Sequence, residues 1–501
     1  MDLFSNLLTG FATSLQPANL LYCFVGVVVG TAIGVLPGLG PLATISMLLP
    51  LTYALDPVSA LIMLSGIYYG AQYGGSTTAI LVNLPGEASS VVTAIDGHKM
   101  AQAGRAGAAL ALAALASVFA GTVCTFFVAG FSPLLATVAL SFGPAEYFAL
   151  MIVGLVAAII LAHGSLLKAI GMVLVGLVLG SVGIDNNSGA YRFTFGSLEL
   201  STGIEFVSVA MGLFAFADII AHVGEKTSST PILHRISRLW PSKQDFREAT
   251  PAAARGTLLG SVLGILPGGG AALASFSAYT LEKKVSKHPE RFGNGAVEGV
   301  AGPEAANNAA AQTSFIPMLT LGIPSNGTMA LMMGAMMIHN IAPGPQVITQ
   351  QPVLFWGLIT SMFVGNVMLV LLNLPLVGIW VKLISVPYRY LYPAILVFCV
   401  IGLYSIQNQT FEIMTAAVFG FVGYLFMRMK CEPAPLLLGF ILGPMLESNL
   451  KRAMLLAKGD ATTFVTRPLS AILLLIAVLL MLTVILPQFR KKREEVFTEE
   501  A

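Results

Sequence analysis

The chain has 501 residues, of which 56% are hydrophobic and 10% charged, and its formal net charge is +2. Soluble globular domains carry about 25% charged residues, so this composition excludes an ordinary soluble fold. Uncharged apolar stretches of about 20 residues, each long enough to cross a bilayer as a helix, recur along the chain. The sequence therefore predicts an all-α polytopic membrane protein.

The N-terminal segment, residues 1–16, contains no lysine or arginine, whereas a cleavable signal peptide has a basic start. We therefore expect the first apolar segment to be retained. The four cysteines have no metal-like spacing and are predicted to be small apolar packing residues, so no metal site is assigned to them. They are Cys23, Cys124, Cys399 and Cys431.

Two stretches share the pattern G-x3-G-[VI]-L-P-G-x-G, one from Gly30 to Gly40 and one from Gly260 to Gly270. A second match relates residues 81–86 to 320–325, so the two copies are offset by 230 and then by 239 residues. The sequence therefore predicts two copies of one membrane unit. They are residues 17–222 and 250–465, joined by a basic cytoplasmic linker, 223–249, and followed by a transmembrane helix and charged tail, 466–501.

Lysine and arginine concentrate in cytoplasmic loops, so their positions predict orientation. The loop after the second glycine motif contains four of them, whereas the equivalent loop, 52–57, contains none. Further along the pattern reverses, since residues 98–105 carry Lys99 and Arg105 and the equivalent 343–352 carry none. Equivalent loops are thus predicted on opposite sides of the membrane, as in the inverted repeats of secondary transporters.

Residues 255–279 lie between two basic loops and are predicted to enter and leave the membrane on one side, as a re-entrant hairpin. By the repeat, residues 27–51 form a hairpin from the opposite face. Non-helical backbone is tolerated at membrane depth only beside protein or a wet cavity, so both tips are expected to line a central cavity. The tip residues assigned to substrate or ion binding are Pro37, Gly38, Gly40, Pro267, Gly268, Gly269 and Gly270.

A helix broken by polar residues follows each hairpin, over 65–78 and 83–87 in the first copy and over 302–313 and 322–328 in the second. The N-terminus of a half-helix suits a carboxylate, and free carbonyls and asparagine side chains suit Na+. The alternative interpretation is helix kinks and close packing through small residues. Candidate contacts to substrate or ion are Gly75, Ser76, Thr77, Thr78, Asn307, Asn308, Pro324, Ser325 and Asn326, with a possible Na+ site near Asn307 and Asn308.

Ionisable groups inside apolar stretches are candidates for function. Glu304 is predicted to serve ion coupling or site structure, with a helix cap as the alternative. Glu87 is a second such candidate, although together with Asp96 it is more readily interpreted as holding loop geometry near the cytoplasmic surface. Because neither hairpin tip nor broken helix contains lysine or arginine, helix dipoles and bound Na+ would supply the positive charge for an anion.

Over nearly its whole length the chain resembles the large membrane subunit of tripartite tricarboxylate transporters, the TctA family. One departure is Ser325-Asn326, where the family often has a glycine after Leu-Gly-Ile-Pro. Besides the two glycine motifs, the resemblance rests on residues 69–76, 84–87, 96–97, 192–196, 298–308, 321–324 and 343–345.

The resemblance implies a three-part system in the bacterial inner membrane. A small four-helix membrane subunit would accompany this chain, and a periplasmic binding protein would deliver the substrate. It further implies import of citrate-like di- and tricarboxylates, driven by a Na+ or H+ gradient. No tightly bound cofactor and no nucleic acid are expected.

Three rival functions remain to be weighed. An ATP-driven pump needs a phosphate-binding loop, and no G-x4-G-K-[ST] occurs. An intramembrane serine protease at Ser76 is disfavoured because Thr77 follows it instead of glycine and no histidine is obviously paired, so an enzyme is not expected. A channel for small solutes or ions is the remaining alternative, since two hairpins from opposite faces also build channels.

Overall fold

A computed structural model of the chain describes residues 3–36, 40–162, 165–185, 188–222, 239–266, 270–384, 393, 396–397, 399–404 and 408–485. Nearly all of these residues are helical. The strands of this described part are Gly183–Ile184 (β1) and Tyr191–Arg192 (β2), which pair antiparallel with Gly183 opposite Arg192. The predicted all-α class is confirmed.

The helices follow the apolar stretches of the sequence. In the first half they are α1 (Leu3–Ser14), α2 (Pro17–Gly34), α3 (Pro41–Leu48), α4 (Pro57–Val82), α5 (Val91–Met100), α6 (Ala106–Ala139), α7 (Pro144–Leu161), α8 (Leu166–Gly180), α9 (Phe206–Ala210) and α10 (Ala217–His222). In the second half they are α11 (Lys243–Ile265), α12 (Gly270–Val285), α13 (Glu298–Thr313), α14 (Phe315–Leu321), α15 (Gly327–Ile338), α16 (Gln346–Gln350), α17 (Pro352–Asn373), α18 (Val377–Ile384), α19 (Phe411–Arg428), α20 (Ala434–Leu456), α21 (Thr463–Thr466) and α22 (Pro468–Ile485).

Within the described ranges, four helical stretches are long and apolar enough to cross a membrane. Shorter apolar helices, such as Leu166–Gly180 and Pro468–Leu482, accompany them. The chain is therefore a multi-pass membrane protein. The four stretches are Pro17–Gly34, Ala88–Ala139, Pro352–Asn373 and Phe411–Arg428.

The second glycine motif lies between two helices that fold back on each other. Arg255 on α11 donates two hydrogen bonds, of 2.8 and 2.6 Å, to the buried carboxylate of Glu282 on α12. Because these residues lie at similar distances on either side of the turn, the two helices are the antiparallel arms of a hairpin. Its predicted tip residues Pro267, Gly268 and Gly269, like Pro37 and Gly38 of the first hairpin, lie outside the described residues.

Glycines bring the first arm of each hairpin into backbone contact with the helix that follows. A Cβ added to Gly30 would lie 2.4 Å from the carbonyl oxygen of Ile67, and one added to Gly260 would lie 2.3 Å from that of Ala306. Ile67 and Ala306 are related by the same 239-residue offset as the second sequence match. Equivalent glycines therefore pack against equivalent positions in the two halves, α2 against α4 and α11 against α13.

The two halves also exchange helices. The long α6 of the first half packs against α13 and α11 of the second, whereas α17 of the second half packs against α4 and α2 of the first. The largest apolar core joins both halves and includes Tyr69, Phe315 and Trp356. As a result α4 and α13 contact each other, and each is flanked by helices from both halves.

Candidate functional site

Both predicted helix breaks are present, at equivalent positions. The helix α4 ends where Asn83 takes a left-handed conformation with φ 58°, and α14 ends where Gly322 does so with φ 70°. In the first half the break is confined to residues 83–87. The expectation that residues 65–78 and 302–313 also interrupt the helices is wrong, because α4 runs from Pro57 to Val82 and α13 runs from Glu298 to Thr313.

The residue that closes each break caps the next helical turn. Asn326 accepts a hydrogen bond of 2.9 Å from the backbone N–H of Met329, at the start of α15. At the equivalent position, the backbone N–H of Glu87 donates to the Ser90 hydroxyl at 3.3 Å, and its carboxylate accepts from Ser89. A helical N-terminus therefore begins immediately after each break, at residues 88 and 327.

Each break is contacted by a hairpin. In the first half, a Cβ added to Gly86 would lie 2.4 Å from the Gly34 carbonyl oxygen and 2.6 Å from the Gly75 Cα, and one added to Gly40 would lie 3.8 Å from the Glu87 Cβ. Across the halves, α12 packs against residues 88–90 and α3 packs against α15. The helices α12 and α3, each of which follows a glycine motif, therefore contact the helical N-terminus of the opposite half.

Glu304 on α13 lies in a cluster of hydroxyl groups from the first half and is 1% exposed. Its Oε1 accepts hydrogen bonds from the Ser76 hydroxyl on α4, at 2.7 Å, and from the Thr93 hydroxyl on α5. Its Oε2 accepts from the Ser117 hydroxyl on α6, at 3.4 Å. Within the described chain no lysine, arginine or histidine pairs with this carboxylate. The carboxylate of one half thus accepts hydrogen bonds from three helices of the other half.

The two asparagines of α13 also reach across to the first half. Asn308 donates to the Ser117 hydroxyl at 2.7 Å and to the Glu304 carbonyl at 3.1 Å. Asn307 donates to the Glu87 carboxylate at 3.4 Å, and its Oδ1 has no hydrogen-bond partner within the described residues. Glu87 therefore contacts α13 as well as the helical turn that follows it.

The remaining predicted residues divide into two groups. Ser76 and Thr77 line a small cavity of about 20 Å³ beside Glu304 and Ser117. The Thr78 hydroxyl instead donates back to the Gly75 carbonyl at 2.9 Å, within α4. Buried Ser325, next to Pro324, donates to the Ser314 carbonyl at 3.4 Å, so it stabilises the second break. Gly270, at the start of α12, has a φ of 55° and open space around its Cα.

Several polar residues at this centre were not predicted from the sequence. Thr93 and Ser117 are donors to Glu304, and their role depends on contacts between helices far apart in sequence. Three further side chains on α4 and α13 are nearly completely buried, and polar atoms of each lack partners among the described residues. They are Tyr69, Gln72 and Gln312. Buried polar atoms are normally satisfied, so these amides and the phenol are positioned to bind ordered water or a solute.

Asp96 holds the start of α13 from the first half. Its buried Oδ1 accepts hydrogen bonds from the backbone N–H groups of Gly293, Gly295 and Ala296, at 2.9, 2.7 and 2.8 Å. Its Oδ2 accepts from the Tyr279 hydroxyl at 2.9 Å. The expectation that Asp96 fixes loop geometry is therefore confirmed, and the loop concerned belongs to the other half.

Comparison with known proteins places this architecture in a family. The profile of the Tripartite tricarboxylate transporter TctA family matches residues 20–438. The chain belongs to the TctA family. The match includes α4, α13 and both helix breaks, so the candidate site lies within the family's common part.

Two similar proteins come from Agrobacterium vitis. One, an uncharacterized 52.8 kDa protein in the TAR-I ttuC′ 3′ region, is 59% identical over 500 residues, which cover 100% of both chains. The other, an uncharacterized protein in the TAR-II ttuC′ 3′ region, is 58% identical over 241 residues, 48% of this chain and 100% of the relative. No solved structure matches this TctA-family chain.

Proposed function

We propose that this TctA-family chain is the transport subunit of a secondary active carrier that imports citrate-like di- and tricarboxylates across the bacterial inner membrane. The observation that carries the proposal is the buried centre where Glu304 and Asn308 of one half meet Ser76, Thr93 and Ser117 of the other. A site shared by two halves changes its geometry when the halves move relative to each other, as alternating access requires.

The two halves are inverted repeats in this proposal, and both hairpins are re-entrant. Three features support it: the matched glycine contacts, the exchange of α6 and α17, and the equivalent left-handed residues at positions 83 and 322. The reversed distribution of lysine and arginine supports the opposite sidedness.

The substrate carboxylates bind at the helical N-termini that begin after the breaks. Backbone N–H groups there carry partial positive charge, which compensates for the absence of lysine and arginine in the broken helices. The glycines of the hairpin tips, from Gly38 to Gly40 and from Gly268 to Gly270, allow the backbone to approach the substrate closely.

Glu304 is the site of the coupling ion. A buried carboxylate without a cationic partner is costly, so it binds either a proton or a cation such as Na+. The neighbouring hydroxyls are neutral oxygen ligands that Na+ can bind, and the unpartnered side-chain oxygens of Asn307 and Gln72 lie on the same two helices, α13 and α4. Either ion would neutralise Glu304 before the substrate anion arrives, which couples the two binding events.

Family membership supports two partners. A small four-helix membrane subunit completes the membrane part, and a periplasmic binding protein delivers the substrate. The proposal includes no tightly bound cofactor, and the ion gradient supplies the driving force.

Uptake of labelled citrate into proteoliposomes containing all three components, with the variant Asn308→Ala, tests the site. Loss of both amide hydrogen bonds should abolish uptake while membrane insertion remains normal. The matched control is Asn449→Ala, on α20 outside the site, which should transport at the wild-type rate. Normal uptake by Asn308→Ala would show that α13 is not part of the transport site.

A further inference from the structure

A larger cavity, of about 820 Å³, opens at the basic end of the second hairpin. Its walls come from the start of α11, the end of α12 and the segment that leads into α13. Five lysine or arginine side chains and three glutamates line it. The basic residues predict that this end faces the cytoplasm, away from the buried centre around Glu304.

Two of the lining acids are already matched by guanidinium groups. Both oxygens of Glu282 accept from Arg255, as described for the hairpin. Glu248 accepts from Arg291 at 2.9 Å, and that hydrogen bond lowers the pKa of the Glu248 carboxyl below its ordinary value. These four side chains therefore form two ion pairs, whose charges largely cancel and contribute little to the binding of a ligand.

Three other cationic side chains of the cavity have no ion-pair partner among the described residues. Lys243, Arg247 and Lys287 are exposed, and none forms an ion pair or hydrogen bond through its side chain with any residue that the structure describes. Lys243 and Arg247 lie one turn apart on α11, whereas Lys287 follows α12. Unmatched positive charge from both arms of the hairpin thus converges on one cavity, as in a site for an anion.

The third acid that lines the cavity, Glu298, favours one class of anion over another. The Oε2 of Glu298 is buried and has no hydrogen-bond partner within the described chain. Glu298 interacts electrostatically with Arg255 and Arg291, which offset its charge. An anion without a proton to donate, such as sulfate, would only be repelled by this oxygen. An anion that carries a hydroxyl group can donate a hydrogen bond to it.

We propose that this cavity binds a phosphate group that carries or adjoins a hydroxyl, with Lys243, Arg247 and Lys287 on its charged oxygens and Glu298 on its hydroxyl. Such a ligand bridges the two arms of the second hairpin. Its chemistry is shared by soluble hydrogen phosphate and by the headgroup of phosphatidylglycerol. The proposal is independent of the transported substrate, because the cavity is separate from the Glu304 centre.

The test compares two double variants with the same change in charge. Lys243→Gln with Lys287→Gln removes cavity cations, whereas Lys283→Gln with Lys284→Gln removes exposed cations of α12 outside the cavity. In one arm, inorganic phosphate and sulfate are titrated calorimetrically into the protein in phosphatidylcholine nanodiscs. In the other, binding of phosphatidylglycerol is measured by native mass spectrometry.

We expect the cavity variant to lose at least about tenfold in affinity in one arm, with the control variant within about twofold of wild type. The arm that responds identifies the source of the phosphate. In the calorimetric experiment, phosphate should bind more tightly than sulfate. Glu298→Gln should reduce this difference in affinity between the two anions. Equal behaviour of the two double variants in both arms, or no binding in either, would overturn the proposal.

Discussion

The glycine contacts between α11 and α13 make a quantitative prediction. A methyl group at Gly260 would lie 2.3 Å from the Ala306 carbonyl oxygen and 2.7 Å from its Cα, so Gly260→Ala forces the helices apart by about 1 Å. Overpacking of this kind costs about 1–3 kcal/mol, which outweighs the gain of up to about 1 kcal/mol from helix propensity. Gly30→Ala, against Ile67 in the other half, should destabilise by a similar amount.

The control is Gly130→Ala on α6, where the added methyl group meets nothing within 4 Å. It should leave stability unchanged or raise it, because alanine favours the helix. Thermal unfolding in detergent, followed by fluorescence-detected size exclusion, measures all three variants. With about 2 cal/mol/K of unfolding entropy per residue, the two packing variants should melt about 1–3 °C lower. Melting of Gly260→Ala at or above the temperature of Gly130→Ala would refute the close packing of these helices.

Three further predictions concern charged residues. Glu304→Gln keeps an acceptor for the surrounding hydroxyls but cannot bind the coupling ion. We therefore expect a melting temperature near wild type and loss of gradient-driven uptake. Retained uptake would exclude Glu304 as the ion site. Asp96→Ala leaves three backbone N–H groups without their acceptor, at about 1–3 kcal/mol each, and should lower the melting temperature far more than Asp460→Ala on an exposed loop. Arg255→Ala should cost about 2–3 kcal/mol because the Glu282 carboxylate stays buried, and adding Glu282→Gln should recover part of that loss in a double-mutant cycle.

The features that the sequence predicted well are those encoded locally or by repetition. Apolar length predicts the membrane helices, and the proline and glycine residues at 85–86 and 322–324 predict the two breaks. The sequence match between the halves also indicates which glycines are equivalent. It does not reveal that Gly30 and Gly260 contact the following helix, because a glycine pattern is equally compatible with a turn, a kink or close packing.

The surroundings of Glu304 could not be predicted because they depend on helices that are distant in sequence. Thr93 on α5 and Ser117 on α6 are ordinary polar residues of their helices until both helices pack against α13. The predicted break at residues 65–78 failed for a different reason. Most glycines of this segment face the backbone of α2, so they serve packing, and the hydroxyls of Thr77 and Thr78 donate within the helix instead of interrupting it.

Uptake of labelled citrate into proteoliposomes tests the central claim most directly. The vesicles contain this chain, its small membrane partner and a matching binding protein, with a Na+ or H+ gradient imposed in separate experiments. We predict saturable, uphill uptake that depends on one of the gradients and on all three components. Rapid, non-saturating flux without a gradient or binding protein would contradict the account and identify a channel.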